Sequence, residues 1–340
     1  MKRVVVAIEG IGYLNQVNVI FDDLPTIHTE DGDVELILHT SPKYRHGDYG
    51  LVPANFDYLI LGKQLDSSHH MERSPYVHVV NYLNKINQFS ILLRAKALAG
   101  EMKLVIPKHS GMINLEKVLK RNINFVGQQW VSGNYVLKPL SGARGIGQFL
   151  VNNNESKVKL EASVLISKLA NCKDDLSSIL DNPNWNVIYN THGENSENEG
   201  LNALRKQGVF LQEYIDNIED EYRVLTDSEG ELTYIQKRFR REDKFRQAIG
   251  SDPSDNSNVC PNVRERISHA LGFIAAAAKE LDIDPGLMSF DFFTVQGTGD
   301  VGILEMSTQY GFEGVPRDLV LNITRDYFTK VIARLINKSL

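Results

Sequence analysis

Two apolar stretches near the end of the chain carry a pair of carboxylates at a spacing that could hold a metal ion. Residues 287–294 and 301–308 read as strands, joined by Gln296-Gly297-Thr298-Gly299-Asp300 as a hairpin turn. With Thr298 at the centre of that turn, Asp291 stands opposite Glu305 and Ser289 opposite Ser307. All four are odd-numbered and so share one face of the ribbon. Phe290, Phe292 and Leu304 are expected on the other face, in the core. Directly opposed carboxylates repel unless positive charge lies between them. Hard oxygen donors in this arrangement suit Mg²⁺ bridging nucleotide phosphates. A solvated acidic pair is the plainer reading, and the strongly apolar neighbours weaken it.

Three further stretches carry chemistry. Lys138-Pro139-Leu140-Ser141-Gly142-Ala143-Arg144-Gly145-Ile146-Gly147 places three glycines between two apolar strands. Backbone N–H groups can turn toward an anion there, and Lys138 adds a point charge. The spacing is not that of a Walker A loop, and a flexible hairpin is the alternative. Gln212-Glu213-Tyr214-Ile215, followed by Asp220-Glu221-Tyr222-Arg223, is an apolar strand running into an acidic segment. Its backbone could meet a base and a carboxylate could meet ribose hydroxyls. An edge strand with a solvated acidic turn is the rival. Residues 237–246 hold six basic side chains against two acidic ones, which suits phosphate or carboxylate recognition.

The elements that must position these groups follow from hydrophobic patterning. Short apolar runs at 4–8, 34–38, 58–61 and 77–80 fit buried strands of an open α/β sheet. Gly10-Ile11-Gly12 lacks the third glycine of a dinucleotide loop and reads as a strand-end turn. Residues 87–99 form a helix with Ile91, Leu92, Leu93, Ala95 and Leu98 as its apolar face, stopped by Gly100. Strands are expected at 104–107, 135–139, 149–151, 209–215, 222–225 and 232–236. A helix spans 263–281, with Ile267, Leu271, Ile274, Ala275 and Ala278 at helical spacing, and a further helix ends the chain. Residues 152–208 are polar, and 191–200 hold almost no apolar side chain, the composition of a mobile loop.

Composition sets the outer limits. At 340 residues the chain suits two or three domains. Its 42% hydrophobic and 24% charged residues are those of a globular protein. A net charge of −6 offers no general basic field for a nucleic-acid backbone. No run of about 18 apolar residues is present, so no membrane span is expected. The N-terminal apolar run is followed by Glu9 with no cleavage site and reads as a first strand, not a signal peptide. Two cysteines, Cys172 and Cys260, are too few for a disulfide framework or a zinc cluster. A cytoplasmic protein with inert thiols is the expectation.

Taken in order, the four stretches resemble the ATP-grasp superfamily. The likeness is greatest to carboxylate–amine ligases such as the ribosomal-protein glutamate ligase and its amino-acid-ligating relatives. It runs from about residue 87 to 315. The stretch Glu-Met-Ser-Thr-Gln-Tyr-Gly-Phe-Glu-Gly at 305–314 is similar to the family pattern Glu-x-Asn-x-x-Pro-Gly-x-Glu-Gly. The fold implied is α/β (α+β): an ATP-grasp fold behind an N-terminal Rossmann-like domain at 1–86. A first lobe with a polar insertion follows at 87–208, and a second lobe with the metal site at 209–340.

The resemblance also implies roles. Lys138 holds ATP phosphates under a loop that includes Ser141, Gly142, Gly145 and Gly147. Gln212, Glu213 and Tyr214 form the hinge that meets adenine, and Glu221 meets ribose. Arg223 holds the carboxylate or acyl-phosphate end, and Arg246 lies near the transferred phosphoryl group. Asp291, Glu305 and Ser307 are the metal ligands, for two Mg²⁺, with Mn²⁺ as an alternative. Ser307 replaces the family's Asn, Tyr310 its Pro, and Gln247-Ala248 the Ser-Asn after Phe-Arg. The activity implied is ATP-dependent amide formation through an acyl phosphate, joining an amino acid to an amino-acid, peptide or protein acceptor. Small-molecule kinase chemistry and a catalytically impaired nucleotide-binding regulator are the alternatives. Small-molecule or peptide substrates are the expected partners, with a homo-oligomer as a further option and neither nucleic acid nor membrane.

Overall fold

The computed structural model describes residues 1–8, 26–30, 32–40, 57–65, 77–83, 85–110, 124–125, 128–129, 133–139, 149–153, 188–189, 209–238, 259–283, 288–307 and 315–338. It opens with five strands: β1 (Lys2–Ile8), β2 (Thr26–Thr29), β3 (Gly32–Thr40), β4 (Tyr58–Leu65) and β5 (Val77–Leu83). Their order in the sheet is β2-β3-β1-β4-β5. β1 is parallel to both β3 and β4, and β4 to β5, whereas β2 pairs antiparallel at the β3 edge. Four of its strands are parallel, in the order second, first, third, fourth along the chain. The four apolar runs of the sequence are its parallel strands. β2 carries Thr26-Ile27-His28-Thr29, too short and too polar to be read as a strand alone.

A helix, α1 (Lys85–Leu98), leads to β6 (Leu104–Val105). A two-strand ribbon, β7 (Asn124–Phe125) and β8 (Gln128–Gln129), precedes a second sheet. That sheet is built from β9 (Gly133–Pro139), β10 (Phe149–Asn153), β11 (Ile188–Tyr189) and β12 (Val209–Glu213), in the order β11-β10-β9-β12 and antiparallel throughout. The polar segment on either side of β11 lies outside the described residues.

The third sheet carries the carboxylate pair. Its strands are β13 (Ile218–Thr226), β14 (Leu232–Arg238), β15 (Ser289–Val295) and β16 (Val301–Ser307), in the order β14-β13-β15-β16-β6. Here β6 joins the far edge, parallel to β16. Between β14 and β15 runs α2 (Pro261–Glu280), and α3 (Arg317–Lys338) ends the chain. Alternation gives the sheet two distinct faces. Tyr222, Val224, Ile235, Phe290, Phe292 and Ile303 point into one large core with α1 and α2. Burial of that apolar area is the main stabilising term.

Both helices begin earlier than their apolar periodicity alone indicates, α1 at Lys85 and α2 at Pro261. In α1, Ile91, Leu92 and Ala95 are fully buried, but Leu93 is exposed, because the buried stripe is narrower than the run of apolar residues. In α2, Ala270 and Ala277 take buried places and Ala275 is half-buried. Ala275 meets the β13–β14 turn at Gly230, where φ is +85° and an added Cβ would lie 2.9 Å from the Ala275 Cβ. Only glycine satisfies both conditions.

The last helix packs on two sheets at once. Tyr327, Phe328, Val331, Ile332, Leu335 and Ile336 pack against Val4, Val6, Ile27, Val34 and Leu36 of the N-terminal sheet. One turn from that cluster, Ile323 packs on Leu225 and Tyr234 of the third sheet. Asp326 and Lys330 pin the same helix to the β13–β14 turn: Ser228 donates to Asp326 at 2.8 Å, and Lys330 pairs with Glu229 at 3.2 Å.

Candidate active site

The β15–β16 ladder sets Asp291 opposite Glu305 and Ser289 opposite Ser307, the register expected from the sequence. It does so by a route the sequence does not display. Nearer the turn, Phe292 pairs with Ile303 and Thr294 with Val301, one residue out of step with the pairing at the carboxylates. The extra residue is Leu304, a β-bulge. Leu304 is therefore half-buried rather than a core residue, and Ile303 takes the core position. The bulge also frees the Leu304 carbonyl, which accepts a hydrogen bond from Gln212 Nε2 at 2.9 Å. Gln212 belongs to β12, so this bond ties the second sheet to the third at the site.

Register across the third sheet builds a transverse row. Gln236 is paired with Arg223, Arg223 with Asp291, and Asp291 with Glu305, on four adjacent strands. Arg223 holds Asp291 in a two-point grip, Nε to Oδ1 at 2.6 Å and Nη2 to Oδ2 at 3.3 Å. Arg238 adds a bond from Nη1 to Oδ1 at 3.3 Å. Glu305 is held by Lys85 Nζ from the first turn of α1. The positive charge that the opposed carboxylates require is thus supplied by three protein cations. Lys85 itself is only 4% exposed, so its charge is neutralised by Glu305 rather than by water.

Lys138 completes the cationic wall. It sits opposite Phe210 in the β9–β12 ladder and is buried. Lys138, Lys85, Phe210, Leu304 and Glu305 line one recess between the second and third sheets. Phe89 of α1 floors it, edge-on to Phe210 at 5.6 Å and stacked on His109 at 4.1 Å. Burial among these rings lowers the His109 pKa to about 4, so His109 is neutral at pH 7.

Residues 211–213 of β12 are fixed by residues 108–110, which run antiparallel along it. Ser110 N–H donates to the Leu211 carbonyl and Ser110 Oγ accepts from Leu211 N–H, both at 2.8 Å. Glu213 N–H donates to the Lys108 carbonyl at 2.7 Å, and its carboxylate accepts from Lys108 N–H at 3.0 Å. Those groups of Glu213 are committed to Lys108, and 214–217 beyond it is a strand-free stretch. Glu221 is buried in β13, paired across the ladder with Arg238.

The structure sets Arg223, Asp291 and Glu305 in one row of the third sheet with Ser307 on the same face, and Lys138 with Glu305 in one recess, beside which Gln212 bonds to Leu304. Ser141, Gly142, Gly145, Gly147 and Arg246 lie outside the described residues. Sequence reasoning missed Lys85: a lysine opening an amphipathic helix 220 residues from its partner carries no local signal. Among the described residues no cluster of three or more His, Cys, Asp or Glu stands ready for a metal. The donor set nevertheless fits a hard divalent cation in kind, with two carboxylates across one ladder and Ser307 on the same face.

In sequence, no family model and no curated protein matches this chain. In structure it is similar to D-cycloserine synthetase DcsG, at TM-score 0.51 and 11% identity, over 98% of this chain and 99% of that one. It is likewise similar to the VanG D-Ala:D-Ser ligase from Enterococcus faecalis, at TM-score 0.50 and 14% identity, over 100% and 99%. At these identities the likeness is one of fold, and the chain has the fold of the ATP-grasp superfamily. Among the described residues, no helix is long and apolar enough to cross a membrane.

Proposed function

We propose that the protein is an ATP-dependent carboxylate–amine ligase. The observation that carries this reading is the transverse row of Arg223, Asp291 and Glu305, whose Glu305 end shares a recess with Lys138 and Lys85, within an ATP-grasp fold. The row has the charges needed to gather a nucleotide triphosphate and a second anion in one place. Glu221 and the 214–217 stretch would take the nucleoside, and Lys138, Lys85 and Arg246 the phosphates. A divalent cation held by Asp291, Glu305 and Ser307 would supply charge neutralisation at the transferring phosphoryl group, for two Mg²⁺ in the full form of the reading.

The reaction then follows from crowding and dryness. A substrate carboxylate oxygen attacks the γ-phosphorus, its bond to the β-bridging oxygen breaks, and ADP leaves. The amine nitrogen attacks the acyl carbon, phosphate leaves with the bonding pair, and the amine proton passes to solvent. Arg223, released in part from Asp291, would orient the carboxylate or acyl phosphate. The resemblance would have the glycine-rich stretch 138–147 close over the phosphates and keep water from the acyl phosphate. The acceptor class favoured is an amino acid or peptide, with a protein acceptor as the extended case. The N-terminal sheet would serve as a Rossmann-like leading domain, followed by the 87–208 and 209–340 lobes. Cytoplasmic placement and homo-oligomerisation belong to the same reading.

Ser307 and the three cations already on the two carboxylates favour one second reading, a nucleotide-binding regulator without turnover. ADP release measured across amino acids and dipeptides, with and without an amine, separates the cases. The ligase releases ADP only with carboxylate and amine together. Lys138→Ala and Glu305→Ala each abolish that release. ADP release without amine indicates a kinase, binding without turnover indicates a regulator, and wild-type turnover by Glu305→Ala overturns the metal assignment.

A further inference from the structure

Gln236 stands at the end of the transverse row, in register with Arg223, so both side chains lie on the face that carries Asp291 and Glu305. It is 2% exposed, and its Nε2 has no hydrogen-bond partner. Buried amides in folded proteins are almost always paired, and an unpaired one destabilises the fold by leaving its desolvation uncompensated. A polar group kept at that cost, beside a guanidinium in the row that carries Asp291 and Glu305, points to a ligand that completes it.

The charge around it indicates what that ligand is. Arg223, Arg238, Lys85 and Lys138 confront Asp291, Glu305 and Glu221, which leaves the cleft with an excess of positive charge. An amide N–H beside Arg223 adds a neutral donor to that field. Donors of this kind read an oxyanion by geometry, because they add no charge that a carboxylate of the row would compete for. We propose that Gln236 is a specificity-determining residue of the nucleotide site, its Nε2 donating a hydrogen bond to an oxygen of the terminal phosphoryl group. Gln236 thereby helps the site distinguish a triphosphate from a diphosphate. This rests on the ATP-binding reading above.

The test compares the affinities of the full-length protein for β,γ-imido-ATP and for ADP, both with Mg²⁺, by calorimetry. The variants are Gln236→Leu and Gln236→Asn, with the melting temperature of each unliganded protein as a second readout. The expected result is a wild-type preference for the triphosphate analogue that falls about tenfold in Gln236→Leu, the scale of one hydrogen bond to a charged group. ADP affinity is unchanged, and unliganded Gln236→Leu melts at or above the wild-type temperature. Gln236→Asn, a shorter donor, recovers part of the preference. A merely structural glutamine would change melting and leave the preference intact, which overturns the proposal. A wild type that binds both nucleotides equally also overturns it. A wild type that binds neither overturns the ATP-binding reading itself.

Discussion

His109 shows how one buried residue ties the site to pH. Its ring is stacked on Phe89 and its backbone is bridged to Gln212, so charging it would place an ammonium-like group among aromatic rings. Its pKa is about 4 when folded and near 6.5 in the unfolded chain. The unfolded state therefore binds more protons between those values, and stability rises with pH across that window. As pH falls from about 6.5 to about 4, this group removes stability, with little further loss below. Unfolding free energies from urea titrations at pH 7.5 and pH 5 should differ by about 1–3 kcal/mol from this source. His109→Phe keeps the stack and removes the titration, so its pH profile should be flatter over the same window. An unchanged profile contradicts the assignment. The residue scale was partly legible beforehand. Alternation about the turn placed Asp291 and Glu305 face to face, and the family resemblance picked out Arg223. Lys85 and Gln236 were not legible, because each owes its environment to register and packing across distant elements.

At the scale of elements, the β15–β16 hairpin decides the site, and its bulge was hidden. Ile303 and Leu304 are both apolar, so no pattern marks which of them leaves the core. The carboxylate pairing was still correctly anticipated, because counting from Thr298 happened to match the register beyond the bulge. The hairpin has a second fixed point at Gly302, where an added Cβ would lie 2.1 Å from the ring of Phe293. The ring of Phe293 lies over the glycine across the ladder, and backbone and ring both hold the bulge in place. Gly302→Ala should cost about 1–3 kcal/mol through overpacking and should lower nucleotide affinity by shifting Glu305. Chemical denaturation and nucleotide titration of the variant check both parts. A variant as stable as wild type would mean that Phe293 moves freely and that the hairpin is not pinned there.

For the whole molecule, α3 is the part that composition and periodicity described least well. The sequence marks it only as a further helix, yet its two ends serve different sheets. The half from Tyr327 to Ile336 covers the N-terminal sheet, and Ile323 covers the third. α1 is similar: in sequence it follows the N-terminal sheet, and in space its buried stripe packs on α2 and β16. Such assignments are invisible locally, since an apolar stripe specifies that a partner exists but not which one. Ile332 is fully buried in the α3 contact with the N-terminal sheet, so Ile332→Ala should destabilise by about 2–5 kcal/mol. Hydrogen exchange should show the loss in β1 and β3 and in the first turns of α3 together. Exchange that rises in β1 and β3 alone would show that the helix does not couple the two sheets.

The central claim is that this fold gathers a nucleotide on Lys138 and the carboxylate row. The most direct measurement is the melting temperature with and without a non-hydrolysable ATP analogue, in Mg²⁺ and in EDTA, for wild type and Lys138→Ala. Ligand at about 100 times its dissociation constant adds about 2.7 kcal/mol, which raises the wild-type melting temperature by a few degrees. The account predicts that rise in Mg²⁺, its reduction in EDTA, and its loss in Lys138→Ala. Equal melting temperatures with and without the analogue in wild type, at saturating Mg²⁺, would contradict it.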